Sequence, residues 1–217
     1  MEKLLQAIVT AAANREKMLI RISGHGASGK STFAKRLQQL LPDGQSQLLE
    51  TDAYIIANDF SQAVLISYPY QGKEVLHSIT ACHPARHELA SLRRDIMMFK
   101  QGLDFLSIDT PWAPSRLVKG DVPILIVEGM STTFLEPELF DLSLYFYTDD
   151  DTELQRRLDR DTRSRGRNPE FIQQSHAHRR TQYVRYLEPY QKQFDIVVNQ
   201  SQNRFTVETC HISENYP

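Results

Sequence analysis

Apolar positions along the chain follow two rhythms, one of three to four residues and one of continuous or alternating runs. Leu4, Leu5, Ile8, Val9 and Ala12 share a face, so residues 2 to 17 read as an amphipathic helix. Met18 to Ile22 is a short apolar run of the kind that forms a buried strand. Helical spacing returns at Phe33, Leu37, Leu40 and Leu41, and Pro42-Asp43-Gly44 ends it in a turn. Gln47 to Thr51 reads as a brief second strand, with Asp52 just beyond it. Residues 53 to 81 mix Tyr and Ile without a clean period. His87 to Lys100 reads as a helix, Leu103 to Ile108 as a short strand, and Asp109 to Pro114 as a loop. Pro123 to Val127 contains Ile-Leu-Ile-Val, a central buried strand that runs into Glu128-Gly129. Asp141 to Thr148 is the next strand, followed by helices over 151 to 165 and 171 to 193. Short strands over 195 to 199 and 205 to 210 finish the pattern. Strands alternating with helices predict an α/β fold, a mainly parallel sheet covered by helices on both faces.

Composition changes this picture little. The 217 residues suit one domain, or one domain with a small insertion. A formal net charge of −2 gives no reason to expect a nucleic-acid or membrane partner. Cys82 and Cys210 are too few for a disulfide framework and fit a reducing compartment. The charged N-terminal stretch reads as neither a signal peptide nor a spanning helix, so the expected location is cytoplasmic.

Chemistry enters between the first strand and the next helix. Gly24 to Ser31 reads G-x-x-x-x-G-K-S, and strand, glycine-rich loop and helix in that order are the context of a P-loop. Gly24, Gly26 and Gly29 allow the backbone to curl, so that with Ala27 and Ser28 its N–H groups form an anion nest at a helix N-terminus. Lys30 brings positive charge to the β- and γ-phosphates of ATP, Ser31 is placed to ligate Mg²⁺, and Thr32 follows on the first helical turn. A loop that merely contains these residues by chance is expected on the order of 1% of the time in a chain of ordinary composition.

Ligands of open α/β sheets sit at the carboxyl ends of the strands. Glu128 follows the central apolar run in the manner of a Walker B acid, and Asp52 follows the second strand, where a hydroxyl's proton acceptor is wanted. For either acid alone, a cap or turn role is the alternative. Asp149-Asp150-Asp151 reads more simply as the acidic start of a helix. Arg156, Arg160, Arg163 and Arg167 recur three or four apart and share a helical face, which suits either a lid over phosphoryl oxygens or a solvated face paired with Asp159 and Asp161. Trp112 and Arg116 read as walls of an acceptor pocket, by stacking and by pairing an anion, or else Trp112 covers core. Tyr54 joins them as a pocket-lining candidate. His83 and His87 lack a third metal ligand at suitable spacing and read as surface or substrate-segment residues.

Taken together, G-x-x-x-x-G-K-S-T, Asp52 with Tyr54 two residues on, I-L-I-V-E-G and R-R-x-x-R-D-x-x-x-R-G-R resemble the uridine kinase and phosphoribulokinase superfamily. Tyr183 to Pro189 and Phe194 to Val198 extend the resemblance, which spans about residues 18 to 200. It implies a P-loop NTPase fold with residues 53 to 116 as acceptor segment and 151 to 170 as an arginine-rich lid. The implied activity is ATP-dependent phosphorylation of a small-molecule hydroxyl. By the matching motifs, Asp52 is the base and Ser31 and Glu128 hold Mg²⁺. Arg157, Arg160, Arg165 and Arg167 serve the lid and the phosphates, and His83 belongs to the substrate segment. Dimer or tetramer assembly is compatible with the resemblance and follows from nothing else in the sequence. Two departures touch the acceptor. Cys82 stands before His83-Pro84 where uridine kinases carry an Asp for the ribose hydroxyls, and Pro111-Trp-Ala-Pro-Ser-Arg116 replaces their pyrimidine-reading loop. A thiol cannot replace a carboxylate that accepts hydrogen bonds from two hydroxyls. A nucleoside such as uridine or cytidine is the first expectation. A sugar phosphate or a pantothenate- or glycerate-like acid is the alternative, beside a regulatory ATP binder with no acceptor.

Overall fold

The computed structural model describes residues 1–13 and 15–211, with the backbone alone at 58, 61, 164 and 165. In chain order its elements are α1 (Glu2–Ala12), β1 (Met18–Gly24), α2 (Lys30–Leu40), β2 (Ser46–Glu50), α3 (Asn58–Ser61), β3 (Leu65–Tyr70), β4 (Lys73–Ser78), α4 (Leu89–Lys100), β5 (Phe105–Leu106), β6 (Leu117–Val118), β7 (Ile124–Glu128), β8 (Leu142–Tyr147), α5 (Asp150–Arg165), α6 (Pro169–Tyr186), β9 (Ile196–Asn199) and β10 (Thr206–Cys210). Six strands form the main sheet in the order β10-β9-β8-β1-β7-β2. All its pairings are parallel except the last, in which β10 runs antiparallel to β9.

The continuous apolar runs resolve into two faces once the strands are pleated. Ile20 and Ile22 of β1, Ile124 and Ile126 of β7, and Leu144 and Phe146 of β8 pack with α1 and α2 on one side. Leu19, Leu125 and Val127 point the other way and pack with Leu92, Ile96 and Phe99 of α4. A sheet covered on both faces has no need of polar alternation, which is why these strands read as runs. Arg21 is the exception. It lies fully buried in β1 with its guanidinium 4.0 Å from the Phe194 ring centroid, donating to the carbonyls of Thr132, Leu135 and Gln193.

The structure departs from the pattern reading at segment ends. The helix expected from His87 begins at Leu89, because the His87 backbone bridges to Ile55. The strand expected over 103 to 108 shrinks to β5, paired with β6. The helical stretch expected over 171 to 193 begins two residues earlier and ends at Tyr186, where Pro189 in Glu188-Pro189 cannot continue it; a 3₁₀ segment carries on to Gln193. Residues 53 to 81, which carried no periodic signal, hold the β3–β4 hairpin with Gln71 and Gly72 at its tip. Among the described residues, no helix is long and apolar enough to cross a membrane.

Candidate active site

Parallel strands deliver their carboxyl ends to one edge of the sheet, and the loops of the site leave from that edge. β1 ends at Gly24 with φ +135°, where a Cβ would stand 1.9 Å from the Phe146 carbonyl oxygen of β8. Only glycine lets the two strands stay paired up to the loop. Gly29 closes the loop at φ +93°, with its Cβ position 2.1 Å from Gln200 Oε1. The third positive φ falls at Ala27, +65°, and not at Gly26. The expected curl is therefore shared between two glycines and an alanine.

Lys30 opens α2 with its ammonium 3.5 Å from Glu128 Oε1, and it donates to the His25 carbonyl at 3.4 Å. The Ser31 hydroxyl hydrogen-bonds to the same Glu128 carboxylate. Burial pushes the Glu128 carboxyl above the ordinary range, and Lys30 and Ser31 pull it back. Thr32 is exposed on the first turn of α2. Two buried hydroxyls in this region, Ser28 Oγ and Thr51 Oγ1, have no hydrogen-bond partner among the described residues. Buried polar atoms left open at a nest, beside a lysine and a hard oxygen pair, form a donor set that fits the phosphates of a nucleotide with Mg²⁺.

Asp52 sits in a 3₁₀ turn directly after β2, exposed, with its backbone carbonyl accepting from Trp112 Nε1–H at 3.0 Å. Both residues line a cavity of about 750 Å³ that also takes in Gly26, Lys30, Arg157, Arg160 and Arg167. The nest lysine, the expected base, the stacking tryptophan and three of the expected arginines thus share one space. Arg157 is 4% exposed, and burial together with the nearby Arg179 lowers its pKa to about 10. Arg160 donates to Asp161 Oδ1 at 2.8 Å. The predicted arginine face is rotated: Arg163 is exposed and off the cavity, while Arg156 turns to the P-loop and donates to the Ala27 carbonyl. The Arg165 side chain lies outside the described residues. Asp149 caps α5 through the Thr152 N–H, as the acidic run suggested.

Three candidates stand elsewhere. Tyr54 is fully buried, and its hydroxyl donates to Asp95 Oδ2 at 2.6 Å inside the core beneath α4. In a 3₁₀ turn, side chains two apart cannot face one way, so Asp52 and Tyr54 diverge. His83 caps the turn Pro84–Arg86 by accepting from the Ala85 N–H, and its ring packs edge-on against Tyr186. Arg116 lies 3.8 Å from Glu50 Oε2 and lines a separate, smaller cavity along β2. His87 is no surface residue: it is buried, bonded to the Ser131 hydroxyl and the Ala81 carbonyl. Cys82 is buried against Met130, Tyr145 and Tyr183, so its thiol is part of the core.

Several lining residues escaped the sequence reading. Arg86, 8% exposed, and Arg179 both face the cavity, and burial, reinforced by the nearby Arg179 guanidinium, lowers the Arg86 pKa. Arg179 reaches to within 3.3 Å of the Cβ position of Gly26. The fully buried Gln182 accepts from Thr80 N–H and donates to the Ser78 carbonyl, fixing the segment 78–81 that forms one wall. His77 of the hairpin lines the same wall and stacks on His178 of α6 at 4.2 Å. None of these has a local motif, because each depends on how α6 and the hairpin pack.

A parallel sheet with a glycine-rich anion nest after its central strand, a lysine at the helix start and a carboxylate on the neighbouring strand defines a P-loop NTPase fold. The comparisons with known proteins place it more closely: residues 19–207 match the Phosphoribulokinase / Uridine kinase family, and the chain belongs to that family. It is 28% identical over 198 residues to a uridine kinase of Lactobacillus johnsonii, covering 85% of this chain and 87% of that one. It is 23% identical over 211 residues to the chloroplastic phosphoribulokinase of Spinacia oleracea, covering 88% of this chain and 50% of the relative. The chain thus spans about half the length of the phosphoribulokinases it matches. Among solved structures, a D-glycerate 3-kinase from Cryptococcus neoformans superposes with a TM-score of 0.62 at 10% identity, covering 95% and 98% of the two chains, a likeness of fold.

Proposed function

We propose that this chain is an ATP- and Mg²⁺-dependent kinase that phosphorylates the hydroxyl of a small anionic alcohol. The observation that carries the acceptor class is the charge of the cavity. Among the described residues, Lys30, Arg86, Arg157, Arg160, Arg167 and Arg179 line it, against the carboxylates of Asp52 and Asp161. Mg·ATP offsets only part of that positive lining, and a cavity of this charge favours an anionic second ligand. Family membership supports the reaction class, and the buried Cys82 thiol argues against ribose recognition of the uridine-kinase kind. A nucleoside acceptor is the reading this one displaces.

Bound at the nest, Mg·ATP supplies the transferable phosphoryl group and the charge neutralisation of its β- and γ-oxygens. Ser31 and Glu128 would hold the metal. Main-chain N–H groups of residues 26 to 31 and the Lys30 ammonium orient the triphosphate. Asp52, at the open mouth of the cavity, accepts the proton of the acceptor hydroxyl. Arg157, Arg160 and Arg167 balance charge on the transferring group, and Arg86 and Arg179 bind the acceptor's anionic end. Trp112 holds the turn of Asp52 by donating its Nε1–H to the Asp52 backbone carbonyl, and its side chain lines the cavity. The test is ADP release from Mg·ATP with and without anionic alcohols. Acceptor-stimulated release that Asp52→Asn lowers while ATP binding persists supports the reading; ATP hydrolysis indifferent to every acceptor overturns it in favour of a regulatory ATP binder.

A further inference from the structure

The first variable position of the P-loop is His25, and no part of the mechanism above uses its side chain. Its imidazole is fully buried beneath the loop. Nε2 accepts the Thr148 N–H from the end of β8 at 2.8 Å, so the ring proton belongs on Nδ1. That nitrogen faces the Gly26 carbonyl at 2.8 Å, with Glu153 Oε2 of α5 at 3.4 Å on the same side. Glu153 is itself held by Arg180 of α6 at 3.1 Å, and Arg180 also donates to the Thr148 carbonyl. The ring edge rests on Tyr183 with centroids 4.8 Å apart. The imidazole therefore touches the loop, β8, α5 and α6 at once.

The peptide that it grips is the one where the loop departs from ordinary backbone. Ala27 has φ +65°, a conformation its Cβ disfavours. In a trans peptide the carbonyl and the following N–H point in opposite directions. A Gly26 carbonyl drawn down onto the buried Nδ1–H leaves the Ala27 N–H aimed up and out, toward the phosphate side. Arg156 fixes the next peptide by donating to the Ala27 carbonyl at 3.3 Å. Among the described residues, the imidazole is the side-chain partner that holds the Gly26 carbonyl, and with it the Gly26–Ala27 peptide, against relaxing to negative φ at Ala27.

We propose that His25 is a positioning residue for the anion nest: through the Gly26 carbonyl it locks the strained Gly26–Ala27 peptide in the phosphate-binding orientation, and it ties that peptide to α5 and α6. The proposal rests on the reading of this loop as the nucleotide site. Its test is calorimetric titration of the full chain with Mg·ATP, with melting temperature measured in parallel. His25→Ala is expected to weaken ATP binding about 10- to 100-fold, a loss that misplacing one nest donor can produce. His25→Asn keeps an amide N–H near the place of Nδ1–H, and is expected to stay within about threefold of wild type. Adding Ala27→Gly to His25→Ala removes the Cβ penalty, so ATP affinity should recover at least about tenfold while the melting temperature does not. If His25→Ala does not fold, the pair His25→Gln with and without Ala27→Gly carries the same comparison. ATP affinity unchanged in the folded variants, or lost without recovery in the Ala27→Gly background, overturns the assignment. A wild-type chain that binds no Mg·ATP removes the nucleotide reading, and this inference with it.

Discussion

The two halves of the cavity are built by different means. The proposed nucleotide half is one contiguous stretch, residues 24 to 32, whose shape is set by backbone: Gly24 and Gly29, where a side chain has no room, and the start of α2. The acceptor half is gathered from the turn after β2, the hairpin, the 78–86 segment, the Trp112 loop and α6, and its character comes from side chains. A backbone site can keep its chemistry while the sequence around it drifts. A side-chain site changes specificity with each substitution, as one recognition group removed leaves its partner unpaired. On the resemblance read from its sequence, the chain keeps the P-loop motif and departs from the uridine-kinase pattern at Cys82 and at the Trp112 loop, the division these two kinds of site would give.

Substitutions can break that division in order of size. Lys30→Ala should lower phosphoryl transfer by about 10³-fold or more, read as acceptor-dependent ADP release, since it removes a fixed charge from the transferring group. Turnover near wild type would detach the site from the P-loop. Asp52→Asn should cost about 10²- to 10³-fold in kcat with the ATP Kd within a factor of about three. If both parameters collapse together, Asp52 organises the metal or the fold instead of taking a proton. Arg86→Gln and Arg179→Gln should raise the acceptor KM about 10- to 100-fold and leave the ATP KM almost untouched for Arg86. A reversed pattern would move that charge to the nucleotide half.

Smaller effects concern stability. His25 and His87 are buried neutral, each with a pKa lowered to about 4, mainly by desolvation. Glu153 opposes the shift at His25 and Asp52 at His87, while Arg180 and Lys30, and Arg86 and His83, reinforce it. The unfolded chain binds these protons near pH 6.5, so the folded state loses stability as pH falls from about 6.5 to 4, by roughly 3 kcal/mol per residue at full burial. Denaturation midpoints should be level above pH 7 and drop steadily below 6.5; a flat profile to pH 4.5 would contradict the buried-neutral assignment. Tyr54→Phe should cost about 1–3 kcal/mol by leaving Asp95 short of a donor, and should not change either KM. A raised acceptor KM in that variant would return Tyr54 to the pocket.

What was legible in the sequence follows the same division. The order of strands and helices, the P-loop and the carboxylates at strand ends are local signals, written in periodicity and in residues spaced along one segment. Glu128 could be placed because it directly follows a buried run. Arg86, Arg179 and Gln182 could not, since each is a single polar residue whose role arises only when α6 packs across the 78–86 segment. Arg156 leaves the expected lid face for the Ala27 and Gln200 carbonyls, because a helical face defined by spacing alone has no absolute orientation until its neighbours are known. Tyr54, a pocket-lining candidate by its place beside Asp52, lies in the core because side chains two apart in a 3₁₀ turn diverge.

The central claim is that the acceptor half selects negative charge. Its most direct measurement is the kcat/KM of the wild-type chain, by coupled ADP release with saturating Mg·ATP, for two sets of alcohols matched in size. One set carries a phosphate or carboxylate, such as sugar phosphates and glycerate-like acids; the other holds uridine, cytidine and other neutral nucleosides. The account predicts turnover with a member of the anionic set, lowered at least about tenfold by Arg86→Gln, and no stimulation by the nucleosides. Efficient phosphorylation of uridine or cytidine, insensitive to Arg86→Gln, with the anionic set inert, would contradict it.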